Sequence, residues 1–361
     1  MQDLSAMRIL IRRTMVFIGF LFYFATPHTA FASSAESPKH ITQALFPIAG
    51  YSSKTGVMVG GMYLNEGPFW KSNSILFFSQ KYGNMVISTI RDVPLPLIST
   101  SSTLESKLML FNWKDSYFPC GDSAHSRPSS SCQEQLLDNT QYEFELGVRQ
   151  FLTPEFSYSG HLTYTQRTEY PNTQSRIFEN ERNFGLTTDL QYDSRNDFLS
   201  PNHGAYLLGQ LVYFPAMFRT SMIDLMQLTI DARIYRTRHK HTIALRGLLS
   251  QTLSPIDSSD YFTARLRLGN QRELRGESNN RYMGRAITLL QSEYRYRFYS
   301  RLSGILFIEL GQAQDTIGFN HIQMTRGFGL HTQLSHGVVF RSEAGFSRDT
   351  FNIIISFNTA F

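Results

Sequence analysis

Apolar and polar residues alternate in segments of about ten residues from Ala44 to the end of the chain, and turns separate the segments. The last segment shows the pattern most clearly, with apolar side chains at odd positions and polar ones between them: Phe351, Ile353, Ile355, Phe357 and Phe361 against Asn352, Ser356 and Asn358. A period of two residues is that of a β-strand. The pattern therefore predicts an all-β protein. The predicted strands are 44–52, 56–65, 73–82, 85–93, 100–112, 141–152, 157–170, 182–195, 205–214, 220–236, 241–253, 285–299, 303–314, 326–335, 338–347 and 351–361.

Alternation alone fits a water-soluble β-sandwich as well as a membrane barrel. The placement of charge favours the barrel. In the segment from Ala286 to Phe298, Glu293 and Arg295 share one face, and the opposite face is apolar or aromatic. In lipid, the charged face has to line a lumen. Sixteen strands also return the C-terminus to the side where the first strand begins. We therefore expect a transmembrane antiparallel β-barrel of sixteen strands over residues 44–361.

Composition agrees with this architecture. The chain has 361 residues, of which 42% are hydrophobic, 17% charged and 14% aromatic, and aromatic residues favour strands. The sequence pI of about 9.1 raises the question of nucleic-acid binding. However, three arginines and only one acidic residue fall within residues 1–32, so the rest of the chain is close to neutral. We expect no nucleic-acid partner.

The first 32 residues resemble an export signal. An arginine-bearing start precedes the apolar stretch Met15–Ala25, and Ala30-Phe31-Ala32 fits a small-x-small cleavage site. The alternative is a membrane anchor, but the apolar stretch is shorter than the roughly 20 residues that a spanning helix needs. We expect a signal peptide at 1–32, a short periplasmic segment at 33–43, the barrel at 44–361 and a location in the bacterial outer membrane.

Cys120 and Cys132 are the only two cysteines, and both lie in a Ser-, Gly- and Pro-rich connection. Exported proteins reach an oxidising compartment, so we predict a Cys120–Cys132 disulfide. A zinc site is the alternative, but His125 alone would not complete four ligands. We expect neither a metal nor a cofactor.

The longest connection runs from Ser254 to Gly284 and contains Arg275 and Gly276. It is either a solvated surface loop or a segment folded into the lumen. An Arg275 buried in the lumen would need a carboxylate partner, because an isolated buried charge is costly. Glu309 and Glu343 have the parity of inward-facing residues and are the candidate partners.

Several motifs between Tyr192 and Phe361 resemble the bacterial surface antigen superfamily, the barrels of outer-membrane insertases and two-partner secretion transporters. Leu274-Arg275-Gly276-Glu277 is similar to the Arg-Gly motif of that family's sixth surface loop, with Glu277 in place of an aromatic residue. Asp193-Ser194-Arg195 with Pro201 and Gly204 is similar to its D-x-R…P-x-x-G periplasmic turn. Gly327-Phe328-Gly329-Leu330 and Ile308-Glu309-Leu310-Gly311 are similar to two of its strands.

The resemblance implies a sixth loop folded inward and held by Arg275, and a role in inserting or translocating polypeptides. It also implies that Phe357 and Phe361 belong to a C-terminal insertion signal. The expected partners are the outer-membrane bilayer and unfolded outer-membrane polypeptides or a separate periplasmic protein. Residues 33–43 are too few for the periplasmic polypeptide-transport-associated domains of that family, so we expect the chain to lack them.

We expect no enzymatic activity. The sequence contains no G-x-S-x-G elbow, P-loop or H-E-x-x-H motif. A barrel phospholipase would need a Ser–His pair on the wall, and His331 has no serine partner that the sequence identifies. The alternative function is a passive or gated small-solute pore that kept the fold without insertase activity. Conductance would distinguish it from a plugged conduit.

Overall fold

The computed structural model describes residues 42–52, 56–66, 71–79, 83–117, 135–170, 180–197, 200–220, 223–254, 265–270, 272–319, 321–333, 339–348 and 350–357. The strands are β1 (Thr42–Ser52), β2 (Gly56–Glu66), β3 (Lys71–Ser79), β4 (Gly83–Pro94), β5 (Ser102–Tyr117), β6 (Gln135–Phe151), β7 (Phe156–Tyr170), β8 (Glu181–Asp193), β9 (Gly204–Phe214), β10 (Leu225–Arg238), β11 (His241–Thr252), β12 (Leu266–Leu268), β13 (Tyr282–Gly284), β14 (Ala286–Arg297), β15 (Leu302–Gln314), β16 (Gln323–Gln333), β17 (Val339–Phe346) and β18 (Phe351–Phe357).

Sixteen of these strands form one closed antiparallel barrel, and the remaining two, β12 and β13, pair with each other in the connection between β11 and β14. The sixteen-strand prediction is confirmed, with each predicted segment overlapping one barrel strand. Within the described residues, no helix is long and apolar enough to cross a membrane.

Several boundaries differ from the prediction: β5 ends at Tyr117 instead of residue 112, and β6 begins at Gln135 instead of residue 141. The tenth predicted strand began at residue 220, but β10 begins at Leu225, because a short 3₁₀ turn, Ala216–Phe218, follows Pro215. At the end of β4 the register shifts between Ile90 and Val93, and Asp92 takes a φ of 61°. Pro94 then ends the strand, as expected for a residue without a backbone N–H.

The barrel is polar inside and apolar outside. On β14 and β15, Leu290, Leu306 and Ile308 are more than half exposed on the outer face. Between them, Glu293 and Glu309 are fully buried on the inner face. This distribution is the reverse of that in a water-soluble protein and is the one a barrel needs in lipid.

One inward segment of the wall is apolar. Leu248, Ile287, Leu289 and Ala313, on β11, β14 and β15, form a cluster with Leu268 and Leu274 from the β11–β14 connection. We call this connection, residues 253–285, loop six, since it is the sixth connection on the side of the long loops. The cluster fixes part of loop six against the inner wall.

The apolar outer face generates a depth-dependent prediction. Ile308→Arg, at the middle of β15, should reduce barrel stability by about 2–4 kcal/mol, because arginine is most costly at the bilayer midplane. Tyr299→Arg lies beyond the end of β14 and should cost about 0–1 kcal/mol. Urea titrations of the protein refolded into lipid vesicles measure both values. Equal effects of the two variants would show that the outer face does not contact lipid.

Candidate functional site

Arg275 of loop six lies inside the barrel wall and contacts three carboxylates. Its Nε donates to Glu309 Oε1 at 2.8 Å. Its Nη1 donates to Glu293 Oε2 at 2.9 Å and to Glu343 Oε2 at 3.1 Å. The three acids come from β14, β15 and β17, and the arginine and all three carboxylate side chains are fully buried. The structure thus brings Arg275 together with both candidate partners, Glu309 and Glu343, and adds Glu293.

Backbone groups of the loop take part in the same site. The Arg275 N–H donates to Glu309 Oε2 at 2.6 Å, and Asn352 Nδ2 of β18 donates to the Arg275 carbonyl at 3.2 Å. The Thr350 hydroxyl donates to the Gly276 carbonyl at 2.7 Å. The loop is therefore held at its main chain as well as at the guanidinium group.

One lateral row of residues across five neighbouring strands forms the seat of Arg275. The paired positions run from β14 to β18 in the order Glu293, Phe307, Gly327, Gly345 and Asn352. Glu293 supplies an ion pair, Asn352 supplies a hydrogen bond, and the ring of Phe307 lies 3.5 Å from the guanidinium carbon. A cation over an aromatic face at this distance is attracted by the ring quadrupole.

Gly327 and Gly345 of this row, and Gly329 of the neighbouring pair Gly329–Glu343, provide space for the site. A Cβ at Gly345 would lie 2.8 Å from the carbonyl carbon of Arg275, and a Cβ at Gly327 would lie 2.3 Å from the Phe307 ring. A Cβ at Gly329 would lie 2.7 Å from Cγ of Glu343. The G-x-G-L motif of β16 therefore has a physical role, because its two glycines make room for Phe307 and Glu343.

The turn that presents Arg275 is strained. Leu274 has a φ of 51°, in the left-handed region that costs a residue with a Cβ about 1 kcal/mol or more. Leu274 is nevertheless fully buried in the apolar cluster, and its carbonyl accepts a hydrogen bond from the Glu277 N–H at 2.8 Å. Packing and hydrogen bonding together hold this conformation.

Glu277 is accommodated where the resemblance places an aromatic residue. Its Oε1 accepts a hydrogen bond from the Tyr282 hydroxyl at 3.1 Å, its Oε2 lies 3.3 Å from the Thr350 hydroxyl, and the residue is buried. Glu277 thus adds a contact between loop six and the β17–β18 connection.

A second ion pair fixes loop six to the part of the wall formed by β10 and β11, on the other side of Arg275. Arg246 on β11 lies 3.3 Å from Glu273 of the loop and 2.9 Å from Asp231 on β10. Gln291 bridges the two sites, since its amide donates to the Arg272 carbonyl at 2.7 Å and to Glu309 at 2.6 Å. The loop is therefore tethered on both flanks of Arg275.

The charges around Arg275 are balanced by further side chains of the wall. Arg295 lies 2.6 Å from Glu293, and Arg341 lies 3.4 Å from Glu343. His331 Nε2 lies 2.8 Å from Glu343. Burial by itself lowers the pKa of Arg275, but the three carboxylates raise that pKa above its ordinary value. The Arg275 guanidinium therefore stays charged.

The network also reaches the turn between β8 and β9. Arg295 Nη1 donates to the Pro201 carbonyl at 3.0 Å. Within this turn Arg195 forms a two-point ion pair with Asp193, at 2.9 and 2.7 Å, and Gly204 has a φ of 98°. The D-x-R and P-x-x-G motifs thus shape a turn that is linked to Arg275 through Arg295 and Glu293.

A Ser–His pair exists elsewhere on the wall, at residues that the sequence interpretation missed. His161 Nε2 lies 2.9 Å from the Ser159 hydroxyl, and also 3.7 Å from Asp189 and 3.8 Å from Glu105. The same nitrogen faces the serine and both acids, whereas Nδ1 lies over Gly147. A hydrolytic triad instead needs the acid on Nδ1. Among the described residues, no cluster of His, Cys, Asp and Glu fits a metal ion.

The remaining residues singled out by the sequence lie elsewhere. Cys120, Cys132, Phe361 and the expected signal peptide at 1–32 are outside the described residues, and Phe357 ends β18. The contributions of Glu293, Phe307 and Asn352 were not predicted. Gly327 lies opposite Phe307, and Gly329 lies opposite Glu343. These two glycines are the sequence signal that could have indicated a crowded site on the neighbouring strands.

No protein-family model and no curated protein matches the chain. Solved barrels do match in structure. BamA from Haemophilus ducreyi, in a form lacking POTRA domains 1–3, has a TM-score of 0.63 at 13% identity, over 89% of this chain and 71% of that one. CdiB from Acinetobacter baumannii has 0.60 at 12%, over 87% and 59%, and CdiB from Escherichia coli has 0.62 at 11%, over 90% and 64%. The chain thus spans less than two thirds of either CdiB. It shares the barrel fold of these proteins.

The close approach at Gly345 gives a prediction for the site. Gly345→Ala should push the backbone of loop six away from β17 and reduce stability by about 1–3 kcal/mol, because the added methyl group meets only main-chain atoms. Gly247→Ala on β11 is the matched control, since no atom lies within 4 Å of its Cβ. Limited proteolysis of loop six and urea unfolding report the two effects. If both variants behave like the wild type, the loop does not occupy this seat.

Proposed function

We propose that the protein is an outer-membrane barrel that inserts or translocates polypeptides, and that loop six is a plug held in its lumen. The observation that carries this proposal is the complete burial of Arg275 among Glu293, Glu309 and Glu343. A tether of this kind keeps a segment of chain inside the barrel, where it obstructs free diffusion. The resemblance to insertase and secretion-transporter barrels, together with the shared fold, supports a polypeptide as the cargo.

The barrel closure supports the same function. Within the described residues, β1 and β18 pair at two positions, Tyr51 with Ile355 and Ser52 with Ile354. We call the β1–β18 boundary the seam. The seam joins the first and the last strand of the barrel, and in the proposed function it admits a polypeptide strand from the lumen or the periplasm.

Loop six and the seam are in physical contact. Asn352 and Thr350, at the start of β18 and just before it, hold the carbonyls of Arg275 and Gly276. Movement of the plug therefore removes two hydrogen bonds next to the seam strand. In the proposed function, plug release and seam opening are coupled through these groups.

The remaining parts of the proposal concern processing and partners. Residues 1–32 direct export and are removed, the barrel occupies residues 44–361, and Cys120 and Cys132 form a disulfide. Phe357 and Phe361 belong to the signal that directs insertion of this chain. The clients are unfolded outer-membrane polypeptides, delivered directly or by a separate periplasmic protein.

Removal of the tether tests the plug. Arg275→Ala leaves three buried carboxylates without their cation and should weaken loop attachment by about 3–5 kcal/mol. Loop six should become sensitive to protease, and the single-channel conductance of the purified barrel should rise. Arg275→Lys should give an intermediate result, because it keeps the charge but loses the planar fork.

Arg272→Ala is the matched control, since it removes a neighbouring arginine that is not an ion-pair partner of Glu293, Glu309 or Glu343. Exchanging Arg275 with one glutamate should not restore closure, because three acids share the cation. Unchanged conductance, protease sensitivity and client assembly in Arg275→Ala would refute the plug. High conductance already in the wild type would favour the small-solute pore.

The seam gives a second test. Cysteines at Tyr51 and Ile355, which are register partners, should form a disulfide that locks the seam after oxidation. Insertion of client barrels in a reconstituted vesicle assay should then be lost and should return on reduction. A pair at Tyr235 and Ala244, register partners between β10 and β11, is the control and should not inhibit. Full activity of the locked seam would exclude strand passage there.

A further inference from the structure

Four basic residues cluster at one end of the barrel, at the opposite ends of β11 and β14 from loop six. Arg236 and Arg238 lie at the end of β10, Lys240 lies in the β10–β11 turn, and Arg301 lies in the β14–β15 turn. All four are exposed. Arg236 and Arg238 alternate with inward residues and so belong to the outer face of the barrel. We call these four residues the basic rim.

The two turns that carry the basic rim are joined to each other. Strands β11 and β14 pair directly, so their turns are neighbours. The Arg297 N–H donates to the Lys240 carbonyl at 2.9 Å, and Arg297 Nη2 donates to the His239 carbonyl at 3.3 Å. These contacts fix the β10–β11 turn against the end of β14. The charges of the rim are therefore gathered at one place on the barrel.

The rim has no acidic counterpart in the chain around it. No aspartate or glutamate occurs in residues 232–256 or 294–308. On the inner face of β10, by contrast, Arg233 lies 2.6 Å from Asp231. Among the described residues, no carboxylate forms an ion pair with any of the four rim side chains. Neighbouring like charges repel, so an anion from outside the chain would be bound favourably here.

An aromatic surface lies directly beside the rim. Arg238 pairs with His241 on β11, and His241 pairs with Tyr296 on β14. The His241 ring centroid is 5.1 Å from that of Tyr296, which is 5.0 Å from that of Phe298. Gly304 leaves room for the last ring, since a Cβ there would lie 2.6 Å from Phe298 Cε2. We call His241, Tyr296 and Phe298 the aromatic shelf.

The shelf lies at the level where a membrane meets water. Leu290 and Leu306, outward on the same two strands and nearer their middle, are more than half exposed and face the acyl chains. Aromatic residues at strand ends occupy the headgroup level. Tyr299, just beyond the shelf, is 73% exposed. The rim charges are therefore placed at the depth of lipid phosphate groups.

We infer that the basic rim and the aromatic shelf bind the headgroup of an anionic glycerophospholipid. The rim contacts the phosphate, and the shelf contacts the glycerol and the first acyl carbons. Guanidinium groups bind phosphate oxygens at two points, and basic clusters at a membrane surface attract anionic lipids. A soluble acidic protein would reach the rim but would leave the shelf, which faces lipid, without a contact. The inference goes beyond the proposed function and does not depend on what the barrel transports.

Native mass spectrometry of the purified barrel in a non-ionic detergent tests the site. The probes are dioleoylphosphatidylglycerol and dioleoylphosphatidylcholine, which share their acyl chains and differ in net charge. Phosphatidylglycerol should be retained saturably. Each basic residue near the surface contributes about fivefold in affinity, so phosphatidylcholine should bind at least about tenfold more weakly.

Variants of the rim locate the binding. Arg238→Gln combined with Lys240→Gln should weaken phosphatidylglycerol binding by about 25-fold, at about fivefold for each charge. Arg238→Lys combined with Lys240→Arg should keep most of the affinity. Arg182→Gln combined with Arg326→Gln is the matched control. It removes the same charge from two exposed arginines on β8 and β16, toward the long-loop end of the barrel, and should leave binding unchanged.

A variant of the shelf tests the contact with the lipid body. Phe298→Ala should weaken binding of phosphatidylglycerol several-fold, because it removes one aromatic ring from the shelf. Phe298→Tyr should keep most of the affinity. Heat-modifiable gel migration checks that each variant forms a barrel.

The possible outcomes decide the inference. Equal retention of the two lipids by the wild type overturns it, as does unchanged phosphatidylglycerol binding in the Arg238→Gln, Lys240→Gln variant. Displacement of the lipid by equimolar inorganic phosphate would assign the rim to a free anion and also overturns it. So does preferential binding of a soluble polyglutamate peptide, which would assign the rim to an acidic protein. None of these results depends on Arg275, so the plug and the lipid site can fail separately.

Discussion

The ion pairs between Arg275 and three buried glutamates determine how loop six is arranged inside the lumen. A guanidinium without water must have its charge compensated by nearby groups. Here β14, β15 and β17 each supply one carboxylate. Gly345 leaves space for the backbone of the loop, and Gly327 leaves space for the Phe307 ring. The pairing of neighbouring barrel strands brings these groups, which are far apart in sequence, around one site.

A buried ion-pair network is a weak source of net stability but a strong determinant of which arrangement forms. Apolar side chains in place of the whole network would pack without the directional contacts that place Arg275 of loop six. The second ion pair, between Glu273 and Arg246, and the apolar cluster around Leu274 fix the same loop from other directions. The network therefore specifies, together with these contacts, the position of the loop in the lumen.

The sequence predicts the barrel well because each strand follows a period of two, and parity alone assigns Glu293, Glu309 and Glu343 to the lumen. It does not predict which lumenal residues meet. Lateral neighbours depend on the stagger between strands, which parity does not encode, so Glu293 was placed in the lumen but not recognised as a partner of Arg275. The Ser159–His161 pair shows a related limit. Its spacing of two residues places both side chains on one face, but only the structure shows that Asp189 and Glu105 lie on the Nε2 side of His161.

The position of loop six constrains the order in which the barrel assembles. The carboxylates that hold Arg275 all follow the loop in the chain, and Asn352, which binds its carbonyl, belongs to the last strand. The loop can therefore be seated only after β14, β15, β17 and β18 have come together, since its partners lie on all four strands. Seating of the loop is accordingly a late event in the formation of the barrel, whichever order ring closure and seating take.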